Sequence, residues 1–360
     1  MKNHQISKAG LAILCLLAVS SFGWGQAAVV PPPQTFTTTV YFDYSAFATT
    51  NGYLTSNPLS NKFHFRRAYF TYENKISDYL KFRFRYDADN TVNITSVDFA
   101  GKSTKKDDKL RPFIKHLFLE WSQDWLQSRF NIGMIETLAF KPSEDRWGLR
   151  SVAKTLVDGY KDITGTEIKA TSADIGVSWK GALAKQLRFA LGVHNGSAYS
   201  HAETDKFKKI SGYLQLVPVA GLSIIGYGDY EKQNDNQKAV TTKIDVFFDM
   251  ISKINISFEW FNYNNEMYMN TDNSHYQVGG FSVFGTYKID PDKFTVFARY
   301  DHYQPNSRLS VKDQDLIILG LDWFAWGATG RLQPNVWIYS YKDAARKQDV
   351  VFNLTFFLSF

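Results

Sequence analysis

The chain has almost no cysteine: one residue in 360, Cys15, which lies inside a short apolar run near the N-terminus. With no cysteine elsewhere, disulfides, thiol nucleophiles and thiolate metal sites are excluded together for the rest of the chain. Long hydrophobic runs are also missing. A membrane-crossing helix needs about 20 apolar residues, and the run from Ala9 to Ser20 is shorter and ends in Ser-Ser. It follows Lys2 and Lys8 and precedes the small residues Gly23, Gly25 and Ala27, which is the pattern of a cleaved export signal. Cleavage is expected just before Gln26 or just after Ala27, giving a signal over residues 1–27 and one domain over 28–360. A lipid anchor on Cys15 would want a small residue before it and Leu three before it; Leu14 and Ala12 stand there instead. No phosphate-binding loop, dinucleotide fingerprint or HExxH motif occurs, and no metal or other cofactor is expected. The charge is +6, about +4 after loss of Lys2 and Lys8, too mild to imply nucleic acid. No linker or low-complexity stretch divides the chain; Pro31–Pro33 marks only a short lead-in.

What is abundant is aromatic residues, 16% of the chain, alongside a slightly negative mean hydropathy. That combination suits a membrane barrel, whose outer face is apolar and girdled by aromatics while its inner face is polar. The order of residues agrees. Leu80, Phe82, Phe84 and Tyr86 alternate with Lys81, Arg83, Arg85 and Asp87. Ile254, Ile256, Phe258 and Trp260 alternate with Lys253, Asn255, Ser257 and Glu259. Successive strand side chains point to opposite faces, and a tilted strand crosses the bilayer in about 9–11 residues. Sixteen such segments are predicted: 35–48, 62–73, 79–90, 111–122, 128–136, 172–181, 186–194, 207–217, 221–231, 239–250, 253–263, 275–289, 293–303, 314–324, 329–341 and 349–360.

Connections after even segments are short, as in Asp290-Pro291-Asp292-Lys293, whereas those after odd segments are mostly longer and polar. Outer-membrane barrels alternate short periplasmic turns with longer extracellular loops, so both termini are expected in the periplasm. The last segment alternates Phe352, Leu354, Phe356, Leu358 and the terminal Phe360 with Asn353, Thr355 and Ser359. It resembles the closing-strand signature by which the barrel assembly machinery recognises its substrates; a free apolar edge would be an aggregation hazard. The expected fold is an all-β transmembrane antiparallel barrel of about sixteen strands, set in outer-membrane lipid. A barrel of that width leaves an aqueous channel, so the expected role is passive diffusion of small polar or anionic solutes.

The third long connection, 137–171, reads as carrying a short helix. Pro142-Ser143-Glu144-Asp145 looks like its start, with Ser143 as cap and helical spacing from Arg146 to Val157. On such a helix Arg146, Arg150 and Lys154 share a face and would line a constriction; the alternative is a surface loop with solvated cations. On the wall, Arg66, Lys81, Arg83, Arg85, Arg188, Arg299 and Arg331 are candidate anion contacts. Guanidinium groups offer bidentate stations to phosphate or carboxylate. Asp87, Asp89, Glu120, Asp245, Glu259, Asp301 and Asp322 also read as inward, so the arginines equally suit a bracing role.

The stretch Phe65-Arg66-Arg67-Ala68-Tyr69-Phe70, followed by Leu80-Lys81-Phe82-Arg83-Phe84-Arg85-Tyr86-Asp87, resembles the early strands of the phosphate-selective porin O and P family. The loop after the fifth strand and the final Phe360 fit the likeness. The resemblance implies a sixteen-stranded, usually trimeric barrel with an inward-folded third loop and a path lined by Arg and Lys. Carried to matching positions, it makes Arg66, Lys81, Arg83 and Arg85 anion contacts; the many inward acids depart from that pattern. Competing readings are a barrel-borne lipase or protease, a hydrophobic-substrate transporter and a non-conducting structural barrel. The histidines beyond the signal (His64, His116, His194, His201, His275 and His302) are scattered without a nucleophile motif, so no enzyme is expected. His194 before Asn195 and His302 after Asp301 are the positions where catalysis would be sought.

Overall fold

The computed structural model describes residues 34–49, 61–90, 93–97, 103–107, 110–159, 172–199, 201–269, 274–307 and 309–360. The expected signal over residues 1–27, Pro31–Pro33 and residues 160–171, within the expected connection 137–171, lie outside the described residues. Sixteen antiparallel strands form a closed barrel. They are β1 (Gln34–Thr49), β2 (Asn61–Lys75), β3 (Leu80–Asn90), β4 (Leu110–Gln123), β5 (Ser128–Glu136), β6 (Ala173–Ala184), β7 (Leu187–His194) and β8 (Lys209–Val219). The second half comprises β9 (Leu222–Lys232), β10 (Lys238–Ile251), β11 (Ile254–Met269), β12 (His275–Asp290), β13 (Phe294–Gln304), β14 (Gln314–Trp323), β15 (Gly330–Tyr341) and β16 (Asp349–Ser359). Each expected segment corresponds to one strand. A two-stranded hairpin, Asn93–Val97 with Ser103–Asp107, sits in the connection between β3 and β4.

Closure falls on the first and last strands. β1 pairs with β2 on one edge and with β16 on the other, Phe42 opposite Phe356 and Asp43 opposite Thr355. In lipid an unpaired strand edge has no water to satisfy its N–H and C=O groups, so a barrel must shut. The Phe42 and Phe356 rings stack across this seam at 4.6 Å, and aromatic cross-strand pairs stabilise a sheet beyond their backbone bonds.

The two-residue period sorts the faces. On β9, Ser223, Ile225, Tyr227, Asp229 and Glu231 are buried, while Ile224, Gly226, Gly228 and Tyr230 are exposed to the exterior. Aromatic rings gather at the short-turn end, where Trp125, Phe130 and Phe189 surround Trp179 with centroids 4.8 to 5.7 Å away. Phe294 and Trp323 stack there on β13 and β14.

Among the register shifts of the wall, those on β2 and β4 re-aim charged side chains. Between Tyr41 and Phe42 the partner jumps from Arg67 to Phe65, leaving Arg66 extra on β2. Between Arg85 and Tyr86 it jumps from His116 to Ile114, leaving Lys115 extra on β4. Bulges of this kind re-aim side chains, and here they turn two consecutive residues inward on each strand. Gly133 on β5 adopts φ 128°, and a Cβ there would lie 2.2 Å from the Leu117 carbonyl oxygen. Only glycine allows β4 and β5 to meet this closely.

Val283 lies outward near the middle of β12. Val283→Arg should lower barrel stability by about 2–4 kcal/mol, the cost of a cation on the lipid face near the bilayer midplane. Urea-dependent folding into vesicles measures this, with the inward Ser282→Ala as reference; equal stability would show that position 283 does not face lipid.

Candidate functional site

The connection after β5 turns into the barrel instead of standing off it. Leu138, Ala139, Phe140, Leu156 and Val157 pack against inward residues of β9 to β13, among them Tyr227, Phe261 and Tyr303. Trp147 and Leu149 form a second cluster with Phe284, Phe297 and Ile318. Trp147 meets the rings of Phe284 and Phe297 edge-on at 5.4 and 6.0 Å. An apolar patch on the inner wall of a wide barrel would otherwise face water, and the loop covers it.

The loop's helical content differs from the expectation. The first helix, α1, covers Lys141–Trp147 and stops at Gly148, which takes φ 63°; the left-handed conformation ends a helix there. A second turn, α2, covers Leu156–Gly159. The helix therefore does not run to Val157. Nor does Ser143 cap it: Phe140 occupies that position without a side-chain cap. The Ser143 hydroxyl instead donates to Asp245 at 3.0 Å and accepts from the Lys243 ammonium at 2.6 Å, tying α1 to β10.

With the helix broken, Arg146, Arg150 and Lys154 do not form a positive strip. Arg146 pairs with Asp249 on β10. Arg150 donates to Glu144 and Asp158, both at 2.9 Å, and to the Tyr69 hydroxyl at 3.2 Å. Lys154 serves through its backbone, its carbonyl accepting from Arg299 at 2.6 Å.

Two wall arginines hold the loop. Arg66 grips Asp43 with Nε at 2.5 Å and donates to the Val152 carbonyl at 2.7 Å and to the Ser151 carbonyl. Arg299 clasps Asp301 through two bonds at 2.7 and 2.8 Å while reaching Lys154. Both were candidate anion contacts from sequence; their donors are spent on carboxylates and loop carbonyls, so they position the loop. Lys81 lies at the short-turn end, exposed, 3.9 Å from Glu120. Arg188 faces the lumen at the start of β7, also exposed, with no ion pair among the described residues.

Among the described residues, a cavity of about 360 Å³ lies between α1 and the inner wall of β1 to β5 and β15–β16. Arg83, Arg85, Lys115, Lys141, Arg150 and Arg331 line it with Glu136, Glu144 and Asp145, beside Tyr41, Tyr69 and Phe357. Most of these charges are matched. Arg83 approaches Glu73 and Glu136 at 3.3 and 3.4 Å. Lys115 lies 3.2 Å from Asp87. Arg331 reaches Asp322 at 2.9 Å and stacks 3.9 Å over Phe357. Arg85 is different: it donates to the Thr71 hydroxyl at 2.8 Å and lies 5.0 Å over the Tyr69 ring, with no carboxylate partner among the described residues. Its remaining donors face the cavity. Lys115, His116 and Glu136 were not singled out by sequence reasoning. Strict alternation sends Lys115 outward, and only the bulge brings it in. Asp301 and His302 point to opposite faces, so that pair cannot act together.

In the loop, burial works to raise Asp158, but Lys154 and Arg150 outweigh it and hold its carboxyl at about 2. Burial, with Asp158 nearby, pushes Glu144 up despite Arg150.

No protein-family model and no curated protein matches the chain. Solved structures do. OmpF of Salmonella typhi in complex with daunomycin aligns with TM-score 0.63 at 10% identity, over 92% of this chain and 98% of that one. The outer membrane channel DcaP of Acinetobacter baumannii aligns with TM-score 0.62 at 13% identity, over 93% and 99%. The anion-selective porin from Comamonas acidovorans aligns with TM-score 0.60 at 10% identity, over 91% and 99%. The chain has the fold of outer-membrane porins. At these identities the likeness is one of fold alone.

Two outcomes follow for the loop. Arg66→Ala removes the clamp on Ser151 and Val152, so open-channel noise and mean conductance in planar bilayers should both rise; unchanged traces would relieve Arg66 of that role. Asp158 has a depressed carboxyl, so its stabilising contribution is full above about pH 4, the ordinary Asp range, and is lost as pH falls toward 2. Channel noise should thus stay level from pH 7 to 4 and increase below pH 3, with Asp158→Asn noisy throughout.

Proposed function

We propose that this chain is a porin of the bacterial outer membrane, passing small hydrophilic solutes by diffusion with a preference for anions. The observation that carries the reading is the partly narrowed lumen. A sixteen-stranded wall is wide enough for water, and the in-folded loop fills one side of it, leaving the charged cavity beside Arg85. Six cations and three carboxylates line that cavity. Arg85 has donors to spare and no carboxylate partner among the described residues, so a phosphate-like or carboxylate anion passing it gains hydrogen bonds without breaking an ion pair. The anion-selective neighbour and the early-strand resemblance support the same preference.

The remaining parts of the reading belong to it as a set. The long loops face outward and both termini face the periplasm, following the alternation of loop lengths. Residues 1–27 are removed on export, and the strand ending in Phe360 engages the assembly machinery. Three copies associate, as in the trimer form of Vibrio cholerae OmpT, which aligns with this chain at TM-score 0.56. The aromatic exterior of β1, β2 and β16, with Phe63, Phe65 and Phe352 exposed, is the wall through which they pack. The role is conduction and not catalysis.

Reversal potentials across a salt gradient in planar bilayers test the preference. A unit charge about 6 Å from the ion path in a water-filled lumen favours an anion by about 0.7 kcal/mol and disfavours a cation by as much, together about 1.4 kcal/mol or about tenfold in permeability ratio. Arg85→Ala should lower the anion-to-cation ratio by about that factor, and Lys81→Ala at the mouth should do less. A ratio unmoved by Arg85→Ala removes Arg85 from the path.

A further inference from the structure

Among the described residues the outer wall is largely apolar, and polar side chains gather on it near the long-loop end of β11 to β14. Orientation there is set by the in-folded loop. Phe261, Val278 and Tyr303 belong to the cluster that holds it, so their sequence neighbours Asn262, Gln277, Gly279 and His302 face outward. Across the sheet, Trp260, Phe281, His302 and Asp315 stand in one register row, and Asn262, Gly279 and Gln304 in the next row toward the loops.

A hollow of about 100 Å³ opens between these rows on the exterior. Trp260 and Phe281 form its apolar side, and the amides of Asn262, Gln277 and Gln304 its polar side. Gly279 is the floor, where a Cβ would sit 3.2 Å from the Phe261 carbonyl oxygen and partly fill the space. His302 completes the lining and is held by Asp315 at 2.8 Å, which also accepts from the Tyr300 hydroxyl at 2.8 Å. The Phe281 ring lies 5.5 Å from the His302 ring, so the aromatic side and the polar side are contiguous.

This chemistry selects a ligand class. No lysine or arginine lines the hollow, so nothing there favours a phosphate. Amides donate and accept at once, which matches hydroxyl groups, and an aromatic ring offers a seat for the C–H face of a sugar. The size admits a hydroxymethyl group or the edge of one ring, not a whole oligosaccharide. The height on the barrel selects the source. On the reading of the preceding section, the Trp260–Phe281 row marks the top of the lipid-facing band, where aromatic girdles lie; a group just above it meets lipid headgroups. We propose that this hollow seats the sugar headgroup of a membrane glycolipid on the outer wall of the barrel.

The test uses the detergent-purified full chain, mixed micelles containing digalactosyldiacylglycerol, and mass spectrometry of the lipid retained per barrel after washing. Parallel arms carry phosphatidylglycerol or the free galactose disaccharide. Saturable retention of the galactolipid above both arms is expected. It should fall about tenfold in the double variant Asn262→Ala/Gln304→Ala, the loss of one or two net hydrogen bonds. Phe281→Leu, which removes the ring with little change of volume, should weaken it independently should the double variant fail to fold. Ser340→Ala, beside Asp315 on β15, should leave it unchanged. Galactolipid retained no better than phosphatidylglycerol, or equally well by Phe281→Leu, overturns the proposal, as does equal occupancy by the free disaccharide. Conductance in bilayers is recorded separately, so a barrel that binds the glycolipid yet does not conduct would fail the porin reading alone.

Discussion

Everything in this molecule depends on the closing of β1 onto β16. A sheet in lipid can leave no edge, because an unpaired N–H or C=O there has neither water nor partner. The seam between Gln34–Thr49 and Asp349–Ser359 joins residues some three hundred apart in the chain. Once it is shut, inside and outside are defined for all sixteen strands, and every polar residue is assigned to one or the other. The side chains at the seam follow the division: Phe42 and Phe356 stack on the lipid side, while the Thr355 hydroxyl donates to Asp43 on the lumen side.

Asp43 then links closure to the lumen. It receives Arg66, and Arg66 holds the carbonyls of Ser151 and Val152. Across the barrel the Arg299–Asp301 pair does the same for Lys154. The Arg299–Asp301 pair is buried and Arg66 is half-buried; such pairs offset their desolvation only through several well-aligned hydrogen bonds, and the loop carbonyls complete the set. The polar lining thus serves two ends: most of its charges build a rigid insert, and a minority face the passage. A barrel with a bare lumen would need no such brace; this barrel narrows its lumen by packing Trp147, Leu156 and Val157 against its own wall.

Residue by residue, the wall was legible and the lumen only partly so. Leu80 to Asp87 displays its alternation openly, and strand number and loop parity follow from repeating that reading. Arg83, Arg85 and Arg331 read as inward because a cation in an alternating strand faces water, and all three line the cavity. Lys115 was missed, since a one-residue bulge carries no local mark in sequence and reverses the parity of its neighbours. For Arg299 the sequence left anion contact and bracing both open. Its inward direction was evident, but its partners, Asp301 and the Lys154 carbonyl, are set by a loop whose path no local pattern encodes. The helix in that loop was placed too long because Gly148 is compatible with a helix interior at modest cost; the docking of Trp147 between Phe284 and Phe297 favours the break.

By itself, the sequence determined the class of solution: two-residue periodicity over sixteen segments, apolar on one face, admits a lipid-embedded barrel and little else. Those signals are local, repeated and set by the pleat of a strand, so they survive without knowledge of neighbours. The tertiary structure alone decided which lumen charges are free. That outcome depends on which side chains a folded-in loop reaches across the barrel, and pairing over such separations is a matter of geometry in space, not of spacing along the chain.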